Sequence, residues 1–138
     1  MDNPHKLIKR LQDSVSLENF EDVQYEVVED IGEYDDIFSF VEPIIKLMEN
    51  NPDADFGAPG ALVHFVEKYY KKGYEEILLN SLKRRPTVHT IWMLHRIIND
   101  KSCPKRNEYI NFLRDMAHRD SVEANVRELI LSYPEFHD

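Results

Sequence analysis

Residues 86–99 read PTVHTIWMLHRIIN. Pro86 and Thr87 are residue types that begin helices, and the residues after them carry apolar side chains on opposite sides at helical spacing. These side chains are Val88, Ile91, Trp92, Leu94 and Ile98 on one wide arc, and Met93 and Ile97 on the other side. At about 14 residues, such a helix is too short to cross a bilayer. We therefore expect it to lie buried between layers of other helices, with the Trp92 ring in the core.

The rest of the chain predicts an all-α protein. Apolar periodicity indicates further helices at 4–15, 16–33, 35–50, 59–71, 74–84 and 104–118, and a last one that begins at Asp120. Asn3 is the expected cap of the first helix, and Asp120 with Glu123 resembles a capping box for the last. Pro43 should either kink its helix or mark the true start. A strand at 23–28 is the alternative for part of the second helix, but the helical spacing runs longer.

A weak internal repeat suggests how the helices are arranged. The apolar triplet Ile44, Ile45 and Met48 recurs twice, at a shift of 34 residues each time, as Leu78, Leu79, Leu82 and as Phe112, Leu113, Met116. We expect a single domain over 1–138, with acidic helices at 1–33 and three antiparallel helix pairs at 34–138 that stack as a short HEAT-like α-solenoid. The alternative is that apolar triplets align by chance in a helical protein.

Length and cysteine content limit the class of protein. A chain of 138 residues can bury one core without a metal or a disulfide. Cys103 is the only cysteine, which excludes an intramolecular disulfide and leaves too few thiolates for a zinc or iron–sulfur site. No run approaches about 18 apolar residues, and the first 20 residues do not resemble a signal peptide. We expect a cytoplasmic protein that does not contact membranes, with no metal and no cofactor.

The negative charge is concentrated in the N-terminal part. Residues 1–56 hold 15 acidic and 4 basic side chains, whereas 57–138 hold 11 and 13. Nine carboxylates lie between Glu18 and Asp36 without one Lys or Arg. Such a field repels nucleic acid and attracts a basic protein, although an ordinary solvated helix face is the alternative. The predicted partner-binding residues are Glu18, Asp22, Tyr25, Glu26, Glu29, Glu33, Asp35, Asp36, Asp53 and Asp55, with Tyr25 as an aromatic anchor.

No pattern of catalytic residues is found. His64 and Glu67 are three apart on one predicted helix, but a metal site needs further ligands on facing helices. We expect this pair to support structure or to make partner contacts on the concave face. His95 should be a hydrogen-bonded core residue, and the GAPG run at 57–60 is explained by helix initiation. We therefore expect a protein that is not an enzyme and is a monomer when free.

Two runs carry a resemblance to a known family. They are G-x-P-G-x-L-V-H-F-x-E at 57–67 and P-T-x-x-T-x-W-M-L-x-R-x-x-N at 86–99. Over residues 55–99, about a third of the chain, the sequence resembles small bacterial HEAT-like helical proteins that act as immunity proteins against polymorphic or contact-dependent growth-inhibition toxins. The resemblance implies a non-catalytic cytoplasmic binder that occupies or blocks a toxin nuclease domain. The acidic N-terminal helix lies outside it.

Two functions of different class therefore remain open. One is a stoichiometric toxin inhibitor whose carboxylates meet a basic active site, which predicts strongly salt-dependent association. The other is a helical-repeat adaptor in a cytoplasmic assembly, which predicts little salt dependence.

Overall fold

The protein is all-helical. A computed structural model describes residues 4–57 and 59–137, and this part contains no strand. The α-helices are α1 (Pro4–Ser14), α2 (Phe20–Ile31), α3 (Val41–Asn50), α4 (Ala61–Glu67), α5 (Tyr74–Arg84), α6 (Val88–Ile98), α7 (Arg106–Ala117) and α8 (Ala124–Ser132), with 3-10 helices at Ile37–Phe40 and Pro134–Phe136. The predicted cap Asn3 lies outside the described residues. The all-α prediction is confirmed, and helix replaces the alternative strand at 23–28.

Helix α6 is the buried central helix that the sequence predicts. It packs against α3, α5, α7 and α8, and none of its residues is exposed. Thr87 and Thr90 cap it reciprocally: Thr87 Oγ1 accepts from the Thr90 N–H at 3.2 Å, and Thr90 Oγ1 accepts from the Thr87 N–H at 3.1 Å. This capping box satisfies two backbone donors that would otherwise be unpaired in the core.

Trp92 is less buried than predicted. Its ring is only half-buried, and the Arg96 guanidinium lies 5.1 Å from the ring centroid. The neighbouring helices do not cover the whole apolar arc of α6. The Arg96 side chain covers the Trp92 ring at the edge of the arc.

Several helix boundaries differ from the predicted ones. Helix α2 begins at Phe20, four residues after Ser16, because a turn intervenes in which the Leu17 N–H donates to the Ser14 carbonyl at 2.9 Å. Helix α8 begins at Ala124, so Asp120 does not cap it. Pro43 is the third residue of α3 and marks its start after the preceding 3-10 helix, where its missing N–H costs nothing. Helix α4 ends at Glu67, short of the predicted residue 71.

Each helix packs against helices that are adjacent in sequence, against helices further along the chain, or against both. Helix α3 contacts α1 and α5, α2 contacts α4, and α6 contacts α8; α1 also packs on α2, α5 on α6, and α7 on α8. Polar groups inside this packing are largely paired. Glu49, 9% exposed, accepts from the Ser81 hydroxyl at 2.8 Å and from Arg84 Nη2 at 2.8 Å, which ties α3 to α5. None of the described helices is both long and apolar enough to cross a membrane.

Candidate protein-binding surface

Helix α2 separates its side chains cleanly between core and solvent. Phe20, Val23, Gln24, Val27 and Ile31 are buried, as the periodicity predicts for the four apolar ones. The opposite side, called the acidic face below, consists of Glu18, just before the helix, and of Glu21, Asp22, Tyr25, Glu26 and Glu29 within it, and all six are exposed. Tyr25 is 56% exposed, so most of its ring is available to a partner.

One cation does reach the acidic face, contrary to the sequence-based expectation. Arg10 of α1 forms a close ion pair with Glu26, and its Nη1 lies 3.1 Å from Asp30 Oδ2. The charge pattern at 18–36 could not reveal this contact, because the cation comes from the preceding helix. Glu18, Glu21, Asp22 and Glu29 form no ion pair with any residue in the described ranges, so the strongest part of the field lies around them and Tyr25.

The loop between α3 and α4, called the insertion below, packs against α2. The buried Gln24 donates from Nε2 to the Asp55 carbonyl at 3.1 Å. The Phe56 ring, 1% exposed, meets the Phe20 ring edge-on at a centroid distance of 5.6 Å and the His89 ring at 4.9 Å. Burial lowers the pKa of His89, and the nearby backbone of Ala54 and Pro52 offsets only part of that effect. The insertion is thus fixed to both α2 and α6.

A small groove lies where the insertion meets the acidic face. It has a volume of about 130 Å³, and its walls include Glu21, Tyr25, Asp55, Gly57 and Pro59. Asp55 Oδ1 accepts from the Gly57 N–H at 2.9 Å, so that carboxylate is held in place by the loop. The structure therefore brings together Tyr25 and Asp55, two predicted site residues that are 30 positions apart in sequence.

The GAPG run leads into α4, with Gly60 as the N-cap of the helix, as helix initiation predicts, and its glycines also allow a tight backbone path. Helix α4 starts only at Ala61, so the run precedes the helix. Gly57 has φ of 81°, and a Cβ on Gly60 would lie 2.1 Å from the Phe56 carbonyl oxygen. Glycine is required here because the backbone folds back on itself within four residues.

The other predicted acidic residues lie elsewhere. Glu33 and Asp35 are exposed beyond the end of α2. Asp36 caps the first 3-10 helix, with Oδ1 accepting from the Ser39 N–H at 3.3 Å. Asp53 is exposed and borders a separate cavity beside Val15, away from Tyr25. Of the predicted set outside α2, only Asp55 joins the groove.

The predicted concave-face residues His64 and Glu67 differ in their contacts. His64 is exposed, whereas Glu67 accepts from Arg96 Nε at 2.6 Å and Nη2 at 3.0 Å, which joins α4 to α6. His95 agrees with its prediction: its Nε2 lies 3.0 Å from Glu135 Oε2, and its ring stacks on Tyr133 at 3.6 Å. Within the described ranges, no cluster of His, Cys, Asp or Glu could hold a metal ion.

A wider cavity of about 420 Å³ lies on another side, between the turn after α4 and the start of α7. At its edge, the Tyr70 hydroxyl donates a hydrogen bond to Asp100 Oδ2 at 2.6 Å. This hydrogen bond, with two more from the Ser102 hydroxyl and N–H, lowers the pKa of Asp100 to about 2. Burial and the Asp100 contact raise the pKa of Tyr70, so its hydroxyl remains a donor.

We expect this network to shape the acid stability of the protein. Because the pKa of Asp100 is lower in the folded state than its usual 3.8, its contribution is complete above about pH 4 and is lost as the pH falls through about 2. Asp100→Asn should lower stability at pH 5 and flatten its decline between pH 4 and pH 2, measured by urea unfolding at each pH. Asp115→Asn, at an exposed position of α7, is the control and should follow the unmodified protein. A parallel decline in Asp100→Asn would contradict the assignment.

Comparison with known proteins gives no assignment: no protein-family model, no curated protein and no solved structure matches the chain.

Proposed function

We propose that this protein is a non-catalytic inhibitor that binds a cognate bacterial toxin, a nuclease, and masks its active site or substrate surface. The observation that carries the proposal is the position of Tyr25, more than half exposed among unpaired carboxylates at the edge of a groove whose walls are fixed to the core. A nuclease must present cations to the phosphates of its substrate. Carboxylates around an aromatic anchor complement such a surface.

We also propose that the helices are arranged as a short HEAT-like α-solenoid. Contacts of α3 with α1 and α5, together with those of α2 with α4 and α6 with α8, are the neighbour contacts expected when helix pairs stack side by side. The triplets related by the shift of 34 residues lie in α3, α5 and α7, and most of their side chains are fully buried. The acidic face of α2 then lies at the N-terminal end of the stack. In this proposal the protein is cytoplasmic and monomeric when free.

Tyr25→Ala tests the proposal directly. If a neighbouring gene encodes a toxin domain, cells producing that domain should lose protection when the inhibitor carries Tyr25→Ala. If Tyr25 is an anchor, its loss should cost about 2 kcal/mol, which is a roughly 30-fold weaker Kd by calorimetry. Folding should be unaffected, since the ring is mostly in solvent.

Leu131→Ala is the matched control, because Leu131 is 45% exposed on α8. It should bind and protect like the unmodified protein. Unchanged affinity of Tyr25→Ala would exclude the acidic face as the binding surface. Loss of affinity on His64→Ala instead would move that surface to α4.

A further inference from the structure

A second groove has mainly basic walls. It lies between the end of α5 and the turn that joins α7 to α8. Its volume is about 240 Å³, and its charged and polar walls are Lys83, Arg84, Arg85, Arg119, Ser121 and Glu123. Four cations thus converge on one groove in a protein of net charge −9. This concentration does not serve the proposed toxin contact, which uses the acidic face.

Three of the four cations are not engaged by carboxylates. Lys83, Arg85 and Arg119 are exposed, and none of them forms an ion pair within the described part of the chain. Several other cations are paired, namely Lys9, Arg10, Lys46, Arg96 and Lys105. The fourth, Arg84, is held by Glu49, so with Glu123 on the rim an excess of two positive charges remains around the groove.

The helix dipole accounts for only part of this cluster. Cations are favoured in the last turn of a helix, which explains Lys83 and Arg84 at the end of α5. Arg119 belongs to a different element, the turn just after the end of α7, so cations at the C-terminal ends of two helices meet at one groove. The convergence is a property of the tertiary structure.

Both walls of the groove are held in position. The Arg84 guanidinium is fixed on Glu49 through Nε at 3.1 Å and Nη2 at 2.8 Å. Across the groove, Arg127 donates from Nη2 to the Arg119 carbonyl at 2.6 Å and the Val122 carbonyl at 3.2 Å, and from Nε to the Ala117 carbonyl at 3.0 Å. These contacts fix the turn that carries Arg119 and Ser121, so little ordering entropy would remain to be lost on binding.

We propose that this groove binds a compact phosphate group, as the free ion or as the terminal phosphate of a small molecule. Guanidinium groups match the oxygen geometry of phosphate by donating two parallel hydrogen bonds, and the Ser121 hydroxyl is a further donor. Two excess positive charges complement a dianion. A volume of about 240 Å³ is below the roughly 300–1,000 Å³ of sites for drug-sized ligands, so a compact anion fits best.

The test is a titration of the isotope-labelled full chain with inorganic phosphate and with glycerol phosphate, followed by NMR at ionic strength held constant with chloride. Saturable shifts should be concentrated at 83–86 and 119–123. Arg85→Gln with Arg119→Gln should weaken the affinity about tenfold or more, because each removes charge-assisted hydrogen bonds. Both residues are exposed, so the fold should remain, and circular dichroism checks this.

Lys101→Gln is the matched control. Lys101 is exposed in the turn after α6, whereas the groove adjoins Pro86 ahead of α6, about 16 Å away by the length of that helix. Tighter binding of glycerol phosphate than of phosphate would assign the site to a phosphorylated small molecule, and equal binding would assign it to the free ion. Shifts that chloride reproduces, or equal losses in Lys101→Gln and the double variant, would overturn the proposal. So would tight, strongly salt-dependent binding of a single-stranded oligonucleotide without saturable phosphate binding.

Discussion

Replacing Phe56 with alanine should lower the free energy of unfolding by about 3 kcal/mol or more. The Phe56 ring is 1% exposed and contacts Phe20 of α2 and His89 of α6. It is the side chain through which the 51–60 insertion enters the core. Its removal leaves a cavity that the turn-rich insertion cannot fill, and it frees the Asp55 and Gly57 wall of the groove.

Urea unfolding followed by circular dichroism measures this effect. Phe38→Ala is the matched control, because Phe38 is 36% exposed and packs against Tyr69 at a centroid distance of 5.2 Å. Its loss should cost clearly less, since much of the ring is already in water. Equal costs for the two variants would show that Phe56 does not anchor the insertion.

Neutralising the acidic face should slow association with a basic toxin domain by about tenfold or more at low salt. The suitable variant is Glu21→Gln, Asp22→Asn and Glu29→Gln, because these carboxylates have no cationic partner among the described residues. Glu26 is left unchanged since Arg10 already holds it. Dissociation should change much less, as exposed charges act mainly on the rate of encounter. Stopped-flow mixing measures both rates.

The control for this variant removes the same amount of charge elsewhere. Glu108→Gln, Asp115→Asn and Glu128→Gln lie exposed on α7 and α8, and they change the net charge identically. Only the α2 variant should lose the salt dependence of association, which weakens as the Debye length falls from about 10 Å at 0.1 M to about 3 Å at 1 M. Equal slowing by both variants would assign steering to net charge, not to the acidic face.

The sequence predicts the helices well because their buried side chains recur at the spacing of a helix. Phe20, Val23, Val27 and Ile31 recur at helical spacing, and the structure buries all four. Helix ends are predicted less well, since capping depends on single local contacts. Thr87 keeps its capping role, whereas Asp120 does not, and the turn before α8 is held by Arg127, which reaches it from within that helix.

The acidic face and the basic groove could be predicted only in part, because they depend on contacts between helices. The acidic side chains of α2 follow from spacing alone, but the pairing of Glu26 and Asp30 with Arg10 and the groove with Asp55 depend on which helices and loops meet. Likewise, Lys83 and Arg119 are 36 positions apart, and no local pattern relates them. Which distant residues lie together depends on contacts between helices and loops, and these contacts cannot be seen in a single sequence.

The tight crossing at Gly57 and Gly60 restricts how this protein can evolve. Any side chain at Gly60 would collide with the Phe56 carbonyl, and one at Gly57 would be strained by its φ of 81° and would meet the Gly60 backbone at 2.6 Å. Substitutions of Glu21, Tyr25 or Asp55 meet no such backbone constraint, whereas both glycines are fixed by it. The side chains around the groove can therefore change while the path of the loop beside them cannot.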